Sequence, residues 1–214
     1  MNYLTNSEYE DLHWREPFGY PNMVRIRTFF DGSCFFHAIA RSYFKPYITG
    51  KLNGKVFDRT KFIRDLRHSL SIKLGSKQKG KLTYYDTLSR GQLAEIAKTI
   101  PAMSLTNMQN ELNSSRSVSN IYNEFISDQL DKDIYILDGV KRDVYMMGDD
   151  DEILYKHRPS IVLLYLPSQS NNHKEETGHY ELVGLQDGDN IRTLFDPTDE
   201  FIGAIRYRMM ILRS

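Results

Sequence analysis

One cysteine and six histidines are the residues of this chain best suited to covalent chemistry at a carbonyl carbon. Cys34 follows Asp31-Gly32-Ser33 and precedes the apolar run Phe35, Phe36, Ala38, Ile39, Ala40, Tyr43 and Phe44. Asp and Gly favour a turn, and Ser33 suits the residue just before a helix. Cys34 is therefore expected in the first turn of a helix that is apolar on most sides, and such helices are buried. The first N–H groups of a helix lack intrahelical partners, and the dipole is positive there. Both favour a thiolate, which is the nucleophilic form of cysteine. The same donors could face the oxyanion of a tetrahedral intermediate. Type and position alone leave a second reading open, a small buried hydrophobe, which is what most free cysteines are.

A cysteine nucleophile needs a base, usually histidine. His37 lies on the same helix as Cys34 and would need an unusual orientation to serve. His68 falls in a Lys/Arg-rich helix and is expected in solvent; His13 and His157 have polar surroundings, and His173 lies inside the loop Ser168–Gly178. His179 opens an apolar strand directly after a glycine, so a sheet can hold it rigidly. Residues i and i+2 of a strand share a face, which puts Glu181 beside His179. Its carboxylate could accept from Nδ1 and turn Nε2 toward Cys34. A solvent-facing strand residue is the equally weighted alternative.

Several elements must position these residues. Val24, Ile26 and Thr28 alternate with arginines and read as a strand. Helices are expected over 34–44, 58–74 (stripe Phe62, Ile63, Leu66, Leu70, Leu74), 85–100 and 118–130. Strands are expected over 133–137, 143–147, 153–155, 161–166, 180–185 and 191–195, the last two joined through the turn Gln186–Asn190. Helices first and strands later predict an α+β domain, a mainly antiparallel central sheet packed by helices. Residues 1–22 read as an irregular lead-in and 23–214 as the domain.

Asp31-Gly32-Ser33-Cys34-Phe35-Phe36 resembles the nucleophile motif of the ovarian-tumour (OTU) cysteine proteases, Asp-Gly-Asn/Ser-Cys-Leu/Phe-Phe. Gly178-His179-Tyr180-Glu181 is similar to the family's second motif, a glycine-flanked His followed by an aromatic. The resemblance spans about residues 23–196. It implies a papain-related fold and a deubiquitinase that hydrolyses the isopeptide or peptide bond after the C-terminal glycine of ubiquitin. By position, Cys34 would be the nucleophile, His179 the general base and Asp31 the acidic residue of the first motif. Backbone N–H groups of Gly32, Ser33 and Cys34 would form the oxyanion hole. The family commonly has Asn or Asp two residues after the His, where this chain has Glu181, so the third place is open to Glu181, to Asp31 or to neither. No metal or organic cofactor is implied. His-Tyr-Glu-Leu-Val-Gly also resembles OTU-like proteins of large DNA viruses. Two other functions stay open: an inactive ubiquitin-binding module, or a protease for another ubiquitin-like modifier.

Composition narrows the partners. Hydrophobic residues make up 40% of the 214, too many for a disordered chain. Lys+Arg and Asp+Glu are both 28, and zero net charge argues against a general nucleic-acid binder. A lone cysteine excludes an intrachain disulfide and zinc sites needing two thiolates. The longest apolar run, 161–166, is too short to span a bilayer, and the N-terminal residues lack the apolar core of a signal peptide. An intracellular, cytoplasmic protein is expected. The basic run from Arg59 to Lys81, Arg67 included, is expected to be a solvated face, the acidic turn 149–152 a solvated tip, and Trp14 a packing residue of the lead-in.

Overall fold

The structure is a computed structural model that describes residues 9–78, 80–148, 151–167 and 178–214. The element order is β1 (Tyr9–Asp11), β2 (Met23–Ile26), α1 (Cys34–Tyr43), α2 (Lys45–Thr49), β3 (Lys51–Leu52), β4 (Lys55–Val56), α3 (Arg59–Leu74), α4 (Tyr84–Thr87), α5 (Gln92–Ile96), α6 (Leu105–Leu112), α7 (Asn123–Leu130), β5 (Asp133–Asp138), β6 (Asp143–Val144), α8 (Asp151–Leu154), β7 (Ser160–Leu166), β8 (His179–Asp187), β9 (Asn190–Arg192) and α9 (Glu200–Arg213). The main sheet runs β1-β2-β8-β7-β5-β6, with β9 paired to β8. Only β5 and β7 pair in parallel, so the sheet is mostly antiparallel as expected.

Strand periodicity divides the core. Ile134, Ile136, Ile161, Leu163, Tyr180 and Leu182 face α1, α3, α6 and α7. Tyr135, Leu137, Val162, Leu164, Val183 and Leu185 face α9 through Phe201, Ile202, Ile205 and Met209. β8 lies between β2 and β7, with α1 against it, so the strand that carries His179 is fixed on both edges and one face. That makes it a precise platform for a side chain at its start.

Several expected elements differ. The helix expected over 85–100 is two short helices, α4 and α5, split at Ser89, Arg90 and Gly91, all at positive φ. The Glu124 carboxylate accepts the Ser89 N–H at 2.8 Å and holds that break. Residues 153–155, expected as a strand, belong to the helical turn α8, extended by the Tyr155 N–H bond to the Asp151 carbonyl at 2.8 Å. The pairing expected over 143–147 stops at Val144. α2, the β3–β4 hairpin, α6 and α9 were not anticipated. The lead-in contributes β1 to the sheet, and Leu12, Trp14, Phe18 and Tyr20 pack on the α9 side. Asp149, Asp150 and most of the loop 168–178, His173 with it, lie outside the described residues. No helix among the described residues is long and apolar enough to cross a membrane.

One buried ion pair anchors the parallel strands. Asp133, 1% exposed, accepts from the N–H groups of Lys156 and Arg158 and from Arg158 Nε at 2.7 Å. Removing Asp133 leaves the buried Arg158 only Asp128 as an anionic partner among the described residues, 2.6 Å from a terminal nitrogen, and takes the acceptor from two backbone N–H groups. Asp133→Ala is therefore expected to cost about 3–5 kcal/mol in urea unfolding. A loss below about 1 kcal/mol, the range of surface pairs, would show that the pair does not anchor the sheet.

Candidate active site

The turn before α1 is built from both directions. Asp31 Oδ1 accepts the Ser33 N–H at 3.0 Å, and Oδ2 lies 3.0 Å from His37 Nε2. His37 Nδ1 in turn lies 2.6 Å from the Tyr47 hydroxyl. His37 is buried; desolvation lowers its pKa, against the opposing pull of Asp31. Both its ring nitrogens are engaged, so it braces the turn and does not serve Cys34. Gly32 sits at φ +59, and a Cβ there would lie 2.1 Å from the Ser115 carbonyl oxygen. Backbone geometry and close approach thus both require glycine. The first N–H groups of α1 lie beyond this turn.

The second half of the site comes from β8. Thr28 Oγ1 donates to the Tyr180 carbonyl at 2.6 Å, and the Tyr180 N–H donates to Cys34 Sγ at 3.3 Å. The sulfur thus has a backbone donor from β8. Gly178 lets the chain pass under the Tyr165 ring, which a Cβ would meet at 1.7 Å. His179 then follows, 8% exposed and in contact with Cys34. Phe30, 88% exposed, stacks on its ring at 4.1 Å between centroids.

Glu181 shares the His179 face, as the strand period requires, and is only 6% exposed, which removes the solvent-facing alternative. Its Oε1 lies 3.7 Å from His179 Nε2, within ion-pair reach and long for a hydrogen bond. The ring orientation differs from the expected one: Nε2, not Nδ1, faces the carboxylate. Glu181 Oε2 lies 3.7 Å from Arg25 Nε and has no hydrogen-bond partner among the described residues. Burial works against an imidazolium at His179. The contacts with Cys34 and Glu181 outweigh it and push the pKa up to about 9.

The structure thus brings Cys34, His179 and Glu181 together and places Asp31 in the turn, where its carboxylate meets the Ser33 N–H and His37. Of the three candidate oxyanion donors, the Ser33 N–H is committed to Asp31. Gly32 and Cys34 remain candidates. Cys34, His179, Phe30, Asp31, Gly32, Tyr165 and Gly178 line a cleft of about 1190 Å³, which continues past α6 along residues 114–120. This is room for an extended peptide.

Sequence reasoning missed two residues here. Phe30 gives no sequence signal beyond its place next to the turn. Arg67, expected in a solvated basic face, is 2% exposed and donates to the Gly32 carbonyl and the Ser33 hydroxyl. A signal was present: Arg67 lies four residues after Ile63 and three before Leu70, in the apolar stripe of α3. His68, one residue on, is exposed as expected.

No family model and no curated protein sequence matches the chain. Among solved structures it is similar to an ovarian tumour (OTU) domain determined in complex with ubiquitin. The two share 18% identity over 97% of this chain and 92% of the other, with a TM-score of 0.53. The OTU domain of OTUD1 (17% identity, 76% of this chain, 85% of the other, TM-score 0.42) and the viral OTU protease of Farallon virus (14%, 83%, 99%, 0.32) are also similar. The chain has the OTU-domain fold.

His179 carries a prediction that needs no substrate. Its imidazole is expected to titrate near pH 9 by NMR, and Glu181→Gln is expected to lower that midpoint. The folded value lies above the ordinary 6.5, so the charged site stabilises the fold fully below pH 6.5 and loses that effect as pH rises through about 9. Thermal unfolding of the wild type should show this loss between those values, and Glu181→Gln should flatten it. A His179 midpoint at or below 6.5 would mean that the buried carboxylate does not hold the proton.

Proposed function

We propose that this protein is a cysteine-type deubiquitinase, cleaving the isopeptide or peptide bond after the terminal glycine of ubiquitin. The observation that carries the reading is the buried Cys34–His179–Glu181 arrangement at the wall of a peptide-sized cleft. The OTU fold supports it, since a similar domain was determined in complex with ubiquitin. A module that only bound ubiquitin would need neither the thiol nor the imidazole.

The mechanism follows from the geometry. With His179 holding a proton, Cys34 is the thiolate, helped by the Tyr180 N–H. Sulfur attacks the glycine carbonyl carbon, and the C=O electron pair moves onto oxygen. Backbone N–H groups at the start of α1 receive the oxyanion. The tetrahedral intermediate collapses by breaking the C–N bond as the imidazolium protonates the departing lysine amine. Neutral His179 then takes a proton from water, which attacks the thioester and frees Cys34. Glu181 keeps the imidazole charged and oriented through the first half of the cycle.

A ubiquitin carrying a cysteine-reactive C-terminus is expected to label the wild type at Cys34 and leave Cys34→Ala unlabelled. Absence of labelling in the folded wild type would overturn the reading. Glu181→Gln is expected to lower kcat by about one to three powers of ten with little change in KM, because it disturbs the base and leaves binding intact. Asp31→Asn keeps an acceptor for the Ser33 N–H and is expected to be mild. The opposite ranking of these two variants would give the third catalytic place to Asp31.

A further inference from the structure

Arg67 is a cation in an interior position, and burying one is costly unless its donors are satisfied. Its five donors are met by neutral groups. Nε donates to the Leu112 carbonyl at 2.9 Å. One terminal nitrogen donates to the Gly32 carbonyl at 3.2 Å and the Ser33 hydroxyl at 2.7 Å. The other donates to the carbonyls of Glu111 at 2.9 Å and Arg116 at 2.8 Å. The guanidinium also lies over the Phe36 ring, 4.9 Å from its centroid. All five acceptors belong to two stretches of chain: the turn that leads into Cys34, and the end of α6 with the loop after it.

Those two stretches both line the cleft. Asp31, Gly32 and Cys34 lie in one, and Glu111 and residues 114–116 in the other. They also touch directly, the Ser115 carbonyl filling the space where a side chain on residue 32 would go. Helix α3 also reaches the second stretch through His68, 2.9 Å from the Asn113 side-chain oxygen, but among the described residues Arg67 is its side chain that bonds both. A planar fork of fixed geometry fits that task. A flexible ammonium with three donors cannot reach five acceptors on two segments at once.

We propose that Arg67 is a positioning residue for the proposed thiol hydrolysis: it locks the oxyanion turn to the 111–116 wall of the cleft. The Gly32 peptide is the leverage point. Its carbonyl is drawn toward Arg67, which fixes the plane of the 32–33 peptide and hence the approach to the Cys34 N–H. The Ser33 hydroxyl, which makes no cap of its own on α1, is held from the same nitrogen. The charge sits close enough to interact with Asp31, Glu111 and ionised Cys34, so a cation at this place also suits the active form of the site.

This inference rests on the deubiquitinase reading for its catalytic half, and the test separates the two. Arg67→Lys keeps the charge and loses the fork. In this variant, hydrogen exchange is expected to rise in residues 32–34 and 112–117 together. On a ubiquitin-amide substrate kcat should fall at least about tenfold, with KM changed less than about twofold, since misplaced oxyanion donors act on the transition state. Iodoacetamide should still alkylate Cys34 at near the wild-type rate, because the thiol and its base are untouched. Should Arg67→Lys fail to fold, Ser33→Ala removes one acceptor of the lock and is expected to lower kcat about fivefold at unchanged KM, the size of one net hydrogen bond. Unchanged exchange in both segments would overturn the lock, whatever the substrate. Loosened segments with wild-type kcat would overturn its catalytic role. A wild type that hydrolyses no ubiquitin substrate would overturn the function, and the exchange result would still decide the lock.

Discussion

The site depends on one electrostatic fact: the carboxylate of Glu181 is buried, and one of its oxygens has no hydrogen-bond partner among the described residues. A buried anion of this kind needs a cation nearby. The imidazolium of His179 meets that need at 3.7 Å, with Arg25 at the same distance on the other side. Arg25 is shared with Glu10, which it holds at 2.5 Å, so most of its charge is directed outward. His179 also contacts Cys34, and the sulfur together with the carboxylate raises its pKa to about 9 against its own desolvation. Under the proposed thiol mechanism, a proton kept on the imidazole is one the sulfur can give up, and the thiolate is the attacking form of cysteine.

Holding those three groups together is a problem of long-range architecture, since Cys34 and His179 lie near opposite ends of the chain. The fold solves it with β8. That strand is flanked by β2 and β7 and has α1 on one face. The same residue of β8, Tyr180, offers its carbonyl to Thr28 and its N–H to the sulfur. Its ring enters the helical core against Phe35. Side-chain alternation then sends His179 and Glu181 to the opposite face. At the first position of the strand, where the sheet ends, the imidazole can still reach the start of α1.

Local signals in the sequence explain which parts were legible. Cys34 at a helix start and His179 with Glu181 on one face follow from turn chemistry and a period of two, neither of which needs tertiary knowledge. The buried helix α1 was legible for the same reason. The orientation of the His179 ring was not, because a period of two places the side chain on a face and leaves open which nitrogen meets Glu181. Nor was the break at 89–91, where Ser89 and Arg90 adopt left-handed backbone and Glu124 answers from a distant helix. α9 did carry a signal, an Asp199 cap ahead of Phe201, Ile202, Ile205 and Met209, overlooked among its arginines. Arg67 was hidden in the same way. A cation inside a basic run looks like surface, and only its place in the stripe with Ile63 and Leu70 shows that it points inward.

The two carboxylates near Cys34 show how environment, rather than residue type, divides labour. Asp31 is half-exposed and bound at both oxygens, to a backbone N–H and to His37. Its charge is already used in shaping a turn, and His37, kept toward the neutral form by burial, transmits that bracing to Tyr47. Glu181 is buried, and its Oε1 lies 3.7 Å from His179 Nε2, long for a hydrogen bond and within reach of an ion pair. The second oxygen of Glu181 lies toward Arg25, 3.7 Å from its Nε. Such a carboxylate orients less by direct bonding and more by field, and a low-dielectric pocket is where a field acts most strongly. The near-complete burial of Glu181 is therefore part of how it favours a proton on the His179 imidazole.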